Sequence, residues 1–169
     1  MKFDKYHISE DIKKNLAGLG FKKPTDIQFK SIPSILKGED VLAIAQTGTG
    51  KTLAFAIPVI DRIHSFKSSK RTSGIKCLVM VPTRELAMQI GEVFIQLSRH
   101  TKVKSYALYG GVEQDAQIKK LEAGIDILIA TPGRMFDLIS QGYIKIKGIH
   151  TLVLDEADRM LDKGFIEDI

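Results

Sequence analysis

The stretch "AQTGTGKT" (residues 45–52) decides how the rest of the chain is read. Its end follows the phosphate-loop pattern G-x-x-x-x-G-K-[ST], but that pattern asks for glycine where this chain has Ala45. Either the stretch is a flexible turn before a helix, or position 45 tolerates a methyl group and the chain carries the remaining parts of a nucleotide site. A strand feeding a Gly-rich turn that opens a helix presents backbone N–H groups at the positive end of that helix, where phosphate oxygens can be held. Gly48 and Gly50 suit this role, since the backbone must approach the ligand and can take positive φ there. Lys51 supplies a point charge for the outer phosphates, and the Thr52 hydroxyl a ligand for Mg²⁺. Ala45 lies where an ordinary β conformation suffices. Taken alone, the stretch leaves both readings open.

A nucleotide site also needs acids. "LVLDEAD" (residues 152–158) crowds Asp155, Glu156 and Asp158 behind an apolar run. Like charges this close raise one another's pKa unless a cation offsets them, and Mg²⁺ shared by Thr52, the nucleotide and Asp155, partly through water, would do so. Glu156 is then the residue to orient or deprotonate a water attacking the γ-phosphate. The bland alternative is that these acids favour the start of the next helix.

Short apolar runs at residues 40–45, 77–81, 105–109, 127–130 and 151–154 alternate with longer segments of helical period. That alternation predicts an α/β domain with a mainly parallel sheet covered by helices on both faces. Each run ends where a motif begins, and ligands of open α/β sheets gather at the carboxyl ends of strands. Helix ends are marked as well: Ser9 before Glu10 and Asp11 with a stop at Gly20, Thr83 opening a helix to about His100, and Thr131 followed by Pro132.

The 169 residues suit one buried domain; 44% hydrophobic and 27% charged residues argue against disorder and against a membrane span. A charged N-terminus without a signal-like apolar core predicts a cytoplasmic protein. The single Cys77 lies in an apolar run and reads as a core residue. The net charge of +5 is compatible with a polyanion partner without establishing one.

In these residues the chain resembles the DEAD-box family of ATP-dependent RNA helicases. Asp155-Glu156-Ala157-Asp158 spells the family name, and in that family alanine is usual at the first position of the phosphate loop, which accounts for Ala45. "GFKKPTDIQ" (residues 20–28) is similar to the family's Q motif. The resemblance implies that Gln28 reads the adenine edge, with Phe21, Lys23 and Thr25 nearby and Phe3 as the upstream aromatic. It also implies ATP contacts along Ala45, Gln46, Thr47, Gly48, Thr49, Gly50, Lys51 and Thr52, with Lys51, Asp155, Glu156 and Asp158 as catalytic residues. Thr25 and Gln28 equally form an [ST]-x-x-[EQ] capping box, so a structural role is available to the same pair. "PTRELA" (residues 82–87), the Gly110-Gly111 pair and "TPGR" (residues 131–134) resemble the motifs that hold RNA. Pro82, Thr83, Arg84, Glu85, Gly110, Gly111, Thr131, Pro132, Gly133 and Arg134 are the implied contacts. Arginines and backbone N–H groups of this kind grip phosphates without reading bases, so binding would be sequence-independent and salt-sensitive.

The resemblance further implies a RecA-like P-loop NTPase fold, with residues 1–38 as a Q-motif region packed on a partial ATP-binding core over 39–169. In the family a Ser-Ala-Thr strand, lying between the phosphate-loop strand and the acidic strand, and a second RecA-like domain with an arginine finger follow. Without them the sheet is expected to be interrupted beside the phosphate-loop strand, with a domain-swapped oligomer as one remedy, and unwinding alone is not expected. A P-loop ATPase acting on DNA, or a nucleotide-gated RNA-binding module with negligible hydrolysis, are the alternatives.

Overall fold

Four parallel strands in the order β2-β3-β1-β4 form the sheet: β1 (Cys77–Met80), β2 (Ser105–Leu108), β3 (Ile127–Ala130) and β4 (Thr151–Leu154). The structure, a computed structural model, describes residues 1–70 and 72–164. Between and around the strands lie α1 (Glu10–Gly18), α2 (Asp26–Lys37), α3 (Lys51–Ser69), α4 (Arg84–Leu97), α5 (Gln114–Glu122), α6 (Pro132–Ser140) and α7 (Ala157–Asp162). The chain divides into two compact units, Met1–Arg71 with Val93–Val103, and Thr72–Glu92 with Lys104–Ile169.

In the second unit, β1 and β3 are buried at every position, as expected of central strands with both faces covered. Period-two alternation sends Leu78, Met80, Leu128 and Ala130 into a core with Leu108 of β2, Met135 and Leu138 of α6 and Met160 of α7. Cys77, Val79, Ile127 and Ile129 occupy the other set and are each fully buried. Burial pushes the Cys77 thiol up to about 12, so it is a core residue and not a nucleophile. α4 approaches β2 so closely that a Cβ at Gly91 would stand 2.9 Å from the Ala107 methyl.

At the amino ends of the strands, Lys76 and Asp126 form a buried ion pair at 2.8 Å, and Asp126 also accepts the Lys104 N–H at 2.8 Å. Fixed partners offset the desolvation of both charges. The carboxyl ends matter more for function. Met80 stands opposite Ala130 and Leu154, and Leu108 opposite Ala130, and the ladder continues one step through Val81, Thr131 and Asp155. One rim therefore carries Pro82, Tyr109, Thr131 and Asp155.

In the first unit, Ser9 caps α1 by accepting the Ile12 N–H, and its own N–H donates to Asp61 of α3 at 2.7 Å. α2 ends at Gly38, whose φ of +84° favours glycine. Asn15 donates to the carbonyls of Leu97 and Arg99, covering groups that the end of α4 leaves without intrahelical partners.

Four of the five expected strands form within one residue of the expected ends; the fifth does not. Residues 41–46 have no ladder partner, and Leu42 and Ile44 are 91% and 89% exposed. An apolar run becomes a strand only when a neighbour pairs its N–H and C=O groups, and none among the described residues does. β4 is an edge strand whose Leu152 and Leu154 are also exposed. Residues 41–46 thus contribute no strand to the sheet among the described residues. α1 stops at Gly18, two residues before Gly20, and α4 closes at Leu97 rather than His100.

Candidate functional site

In the first unit the loop at residues 47–50 turns twice through left-handed glycines, Gly48 at φ +84° and Gly50 at φ +88°. Gly50 is the N-cap of α3, so Lys51 and Thr52 fall in the first helical turn, whose N–H groups have no intrahelical acceptors. The start of this 19-residue helix therefore has the chemistry that suits an anion, with Lys51 beside it. The Thr49 hydroxyl donates to the Gln46 carbonyl at 2.7 Å and closes the turn from within. Ala45, Thr49, Gly50, Lys51 and Thr52 are partly buried, while Gln46, Thr47 and Gly48 are exposed.

The segment over residues 20–28 grips this loop. Gln28 Nε2 donates to the Gly50 carbonyl at 3.0 Å, and the Thr25 hydroxyl donates to the Thr49 carbonyl at 2.8 Å. The Thr25 N–H in turn donates to Gln28 Oε1 at 3.0 Å, which is one half of the capping box. Capping and loop contact therefore coexist in one residue pair. Gln28 is 2% exposed, and two of the four hydrogen-bonding positions of its carboxamide are in use. Phe21 is exposed, as is Lys23, whereas Phe3 is buried with its ring 6.1 Å from that of Tyr6.

This contact yields a first prediction. A Cβ at Gly50 would collide with Gln28 Nε2 and stand 3.1 Å from Thr25 Oγ1, at a backbone angle that disfavours any side chain. Gly50→Ala should lose about 1–3 kcal/mol of stability in urea unfolding and weaken nucleotide binding. Unchanged values of both would show that the grip is incidental.

In the second unit, the rim gathers the three stretches that resemble RNA-holding motifs. Thr83 caps α4 by accepting the Leu86 N–H at 3.2 Å, which leaves Arg84 and Glu85 exposed in the first turn. The Arg84 guanidinium lies 5.0 Å from the centre of the Tyr109 ring, within cation–π range. Gly111 has φ +78°, and a Cβ there would stand 3.3 Å from Arg84 Nη1. Arg134 donates to Gln117 Oε1 at 2.6 Å and to the Val112 carbonyl at 3.0 Å, and Gln117 Nε2 donates to the Tyr109 carbonyl at 3.0 Å. The Gly110-Gly111 turn is thereby tied at both sides to α5 and α6. Pro132 opens α6 where no N–H is needed, with Gly133 exposed beside it.

Gln117 and Tyr109 went unnoticed in the sequence. Gln117 is 3% exposed beside buried Ile118, and a polar residue on the apolar stripe of a helix was the available signal.

At the same rim the acids follow β4. The Asp155 N–H donates to the Met80 carbonyl, and Asp155 Oδ1 accepts the Glu156 N–H at 3.1 Å. Glu156 takes φ +51° and ψ 48°, a left-handed conformation unusual for a residue other than glycine. Its carboxylate accepts a 2.6 Å bond from Arg159. Asp158 is exposed one turn on. His100 shares this left-handed conformation at φ +63°, so the backbone alone assigns Glu156 no role.

The comparisons with known proteins follow the same residues. The DEAD/DEAH box helicase family profile matches residues 25–169. The chain is 46% identical over 169 residues, its full length, to the ATP-dependent RNA helicase DBP3 of Lodderomyces elongisporus, of which this covers 30%. The protein of that name from Eremothecium gossypii is likewise 46% identical over the whole chain, with 31% of that protein covered. The chain thus spans less than a third of the length of these relatives. Among solved structures, a hypothetical ATP-dependent RNA helicase from Sulfolobus tokodaii superposes with a TM-score of 0.84 at 38% identity, over 95% of this chain and 45% of that one. With the glycine loop at the start of α3 and the Asp-Glu-Ala-Asp run after β4, this chain belongs to the DEAD/DEAH box helicase family.

Proposed function

We propose that the chain is the ATP- and RNA-binding first domain of an ATP-dependent RNA helicase. The grip of Gln28 and Thr25 on the carbonyls of Gly50 and Thr49 supports this reading most, because it couples a base-reading residue to the loop that would hold phosphates. The two unused positions of the Gln28 carboxamide, one donor and one acceptor, match the N7 acceptor and N6 donor of adenine. Phe21 offers an exposed ring to the base, and the N–H groups of the first turn of α3 with Lys51 take the phosphates.

Mg²⁺ suits the oxygen donors assigned to it, Thr52 and Asp155. It keeps several waters and takes one or two protein oxygens alongside substrate phosphates; among the described residues no group of three or more His, Cys, Asp or Glu could form an all-protein cage. When bound, the ion neutralises charge that develops on the phosphates. Glu156 orients the attacking water, with Asp158 as a further catalytic acid of the same run.

RNA lies along the rim of the second unit, with Arg84 and Arg134 facing phosphates and the Gly110-Gly111 turn offering N–H groups. Strand separation and fast turnover require a second RecA-like domain, whose arginine finger is worth about 10³ to 10⁵ in rate. The pairing of Glu156 with Arg159 favours one other reading, a nucleotide-gated RNA-binding module with negligible hydrolysis, since the carboxylate is already engaged by a side chain of α7. No helix among the described residues is long and apolar enough to cross a membrane.

Turnover measured with single-stranded RNA or DNA, on this chain joined to a second RecA-like domain, tests the reading. Stimulation by RNA alone supports it, and equal stimulation by DNA contradicts it. Binding of a fluorescent oligouridine across a salt series separates the roles at the rim. Arg84→Ala should reduce the slope of log K against log[salt] by about 0.7, the value of one phosphate contact on a single strand. Gln117→Leu should lower affinity while keeping the slope, because it loosens the turn without removing a charge.

A further inference from the structure

Within the first unit, a cavity of about 710 Å³ opens between the N-terminal segment, the end of α2 and the second half of α3. Its α3 residues, from Asp61 to Ser69, lie 10 to 18 positions beyond Lys51, about 15–27 Å along the helix axis. It is therefore separate from the phosphate loop. Tyr6, Pro33, Leu36 and Phe66 supply apolar wall, and the volume falls in the range of small-molecule sites, about 300–1,000 Å³.

The charges around it are one-sided. Lys5, Lys37 and Arg62 come from three different elements, with His7 beside them. Among the described residues the only acid in the lining is Asp61, which is 8% exposed and already accepts the Ser9 N–H at 2.7 Å. Arg62 is steadied by donating to the Ile35 carbonyl at 3.1 Å, under Gly38. The Tyr6 hydroxyl is itself buried without a hydrogen-bond partner. An apolar floor with a cationic rim selects a ligand that is itself divided in this way.

We propose that this cavity binds a small amphipathic organic anion, an aromatic body carrying a carboxylate, seated on the Tyr6, Leu36 and Phe66 walls with its charge toward Lys5, Lys37 and Arg62. The site is independent of nucleotide and RNA. ¹⁵N-labelled chain titrated with 2-naphthoate, and in parallel with its neutral isostere 2-naphthamide, tests it. Naphthoate should shift the amides of Tyr6, Leu36, Lys37, Arg62 and Phe66, and naphthamide should bind at least tenfold more weakly. The double variant Lys5→Glu with Lys37→Glu should raise the naphthoate Kd at least tenfold and leave that of naphthamide within twofold. Ser65→Trp, an exposed position at the mouth, should block both probes while resonances elsewhere stay in place. Absence of naphthoate binding, equal affinity for the two probes, indifference to charge reversal, or shifts centred on residues 46–52 would each overturn the proposal.

Discussion

Lys51→Ala should lower affinity for Mg-ATP by about 10³-fold. The lysine sits at the first position of α3, immediately after the left-handed Gly50, and under the proposed function its ammonium joins the first-turn N–H groups in holding phosphate. Two charge-assisted hydrogen bonds to phosphate, each worth about 1.5–3 kcal/mol, account for a change of that size. The side chain is at the helix surface and only partly buried, so the variant should unfold in urea at nearly the wild-type midpoint. Isothermal titration with Mg-ATP and Mg-ADP reads the effect. A loss below tenfold would mean that the N–H groups alone hold the phosphates.

Glu156→Gln, in a chain joined to a second RecA-like domain, slows ATP hydrolysis by about 10²- to 10⁴-fold while Mg-ATP affinity changes little, as expected when a group assists proton transfer or water orientation. Glutamine keeps the shape and can keep the left-handed backbone that the site imposes, but it cannot take a proton. Its carboxamide also forfeits the ion pair with Arg159, so Arg159→Ala serves as the control. If the pair restrains the base, freeing Glu156 speeds turnover; if the pair holds Glu156 in place, turnover falls. Equal losses of binding and hydrolysis in Glu156→Gln would remove the role assigned to it, and unaltered hydrolysis would favour the nucleotide-gated module.

The strands of the second unit were legible because their signal is local: "CLVM" and "ILIA" are continuous apolar runs, and both proved central and fully buried. "VLAIA" over residues 41–45 carries the same signal without the same outcome, because pairing depends on a neighbour remote in sequence and no run of residues announces it. The turn that opens α3 was legible from Gly48 and Gly50, both of which take positive φ. Gln28 was legible as a cap, and the family resemblance also implied contact with adenine. What the sequence did not disclose is that the same carboxamide bonds to Gly50, a contact spanning 22 positions. Arg134 was read as a phosphate contact, yet its hydrogen bonds also fasten the Gly110-Gly111 turn through Gln117 and Val112. Such ties join residues distant in the chain, and only the arrangement of α5 and α6 over the strand ends brings them together. The left-handed Glu156 is similar: nothing in "DEAD" shows that its second residue turns the chain from β4 into α7.

The proposed function requires that one Mg-triphosphate be served by both the glycine loop and the acidic turn. The most direct measurement is ATP affinity as a function of Mg²⁺ concentration for the wild type and for Asp155→Ala. If the claim holds, Mg²⁺ strengthens ATP binding to the wild type, and most of that gain disappears in Asp155→Ala while metal-free ATP binding is retained. An identical Mg²⁺ dependence in the two proteins would contradict it.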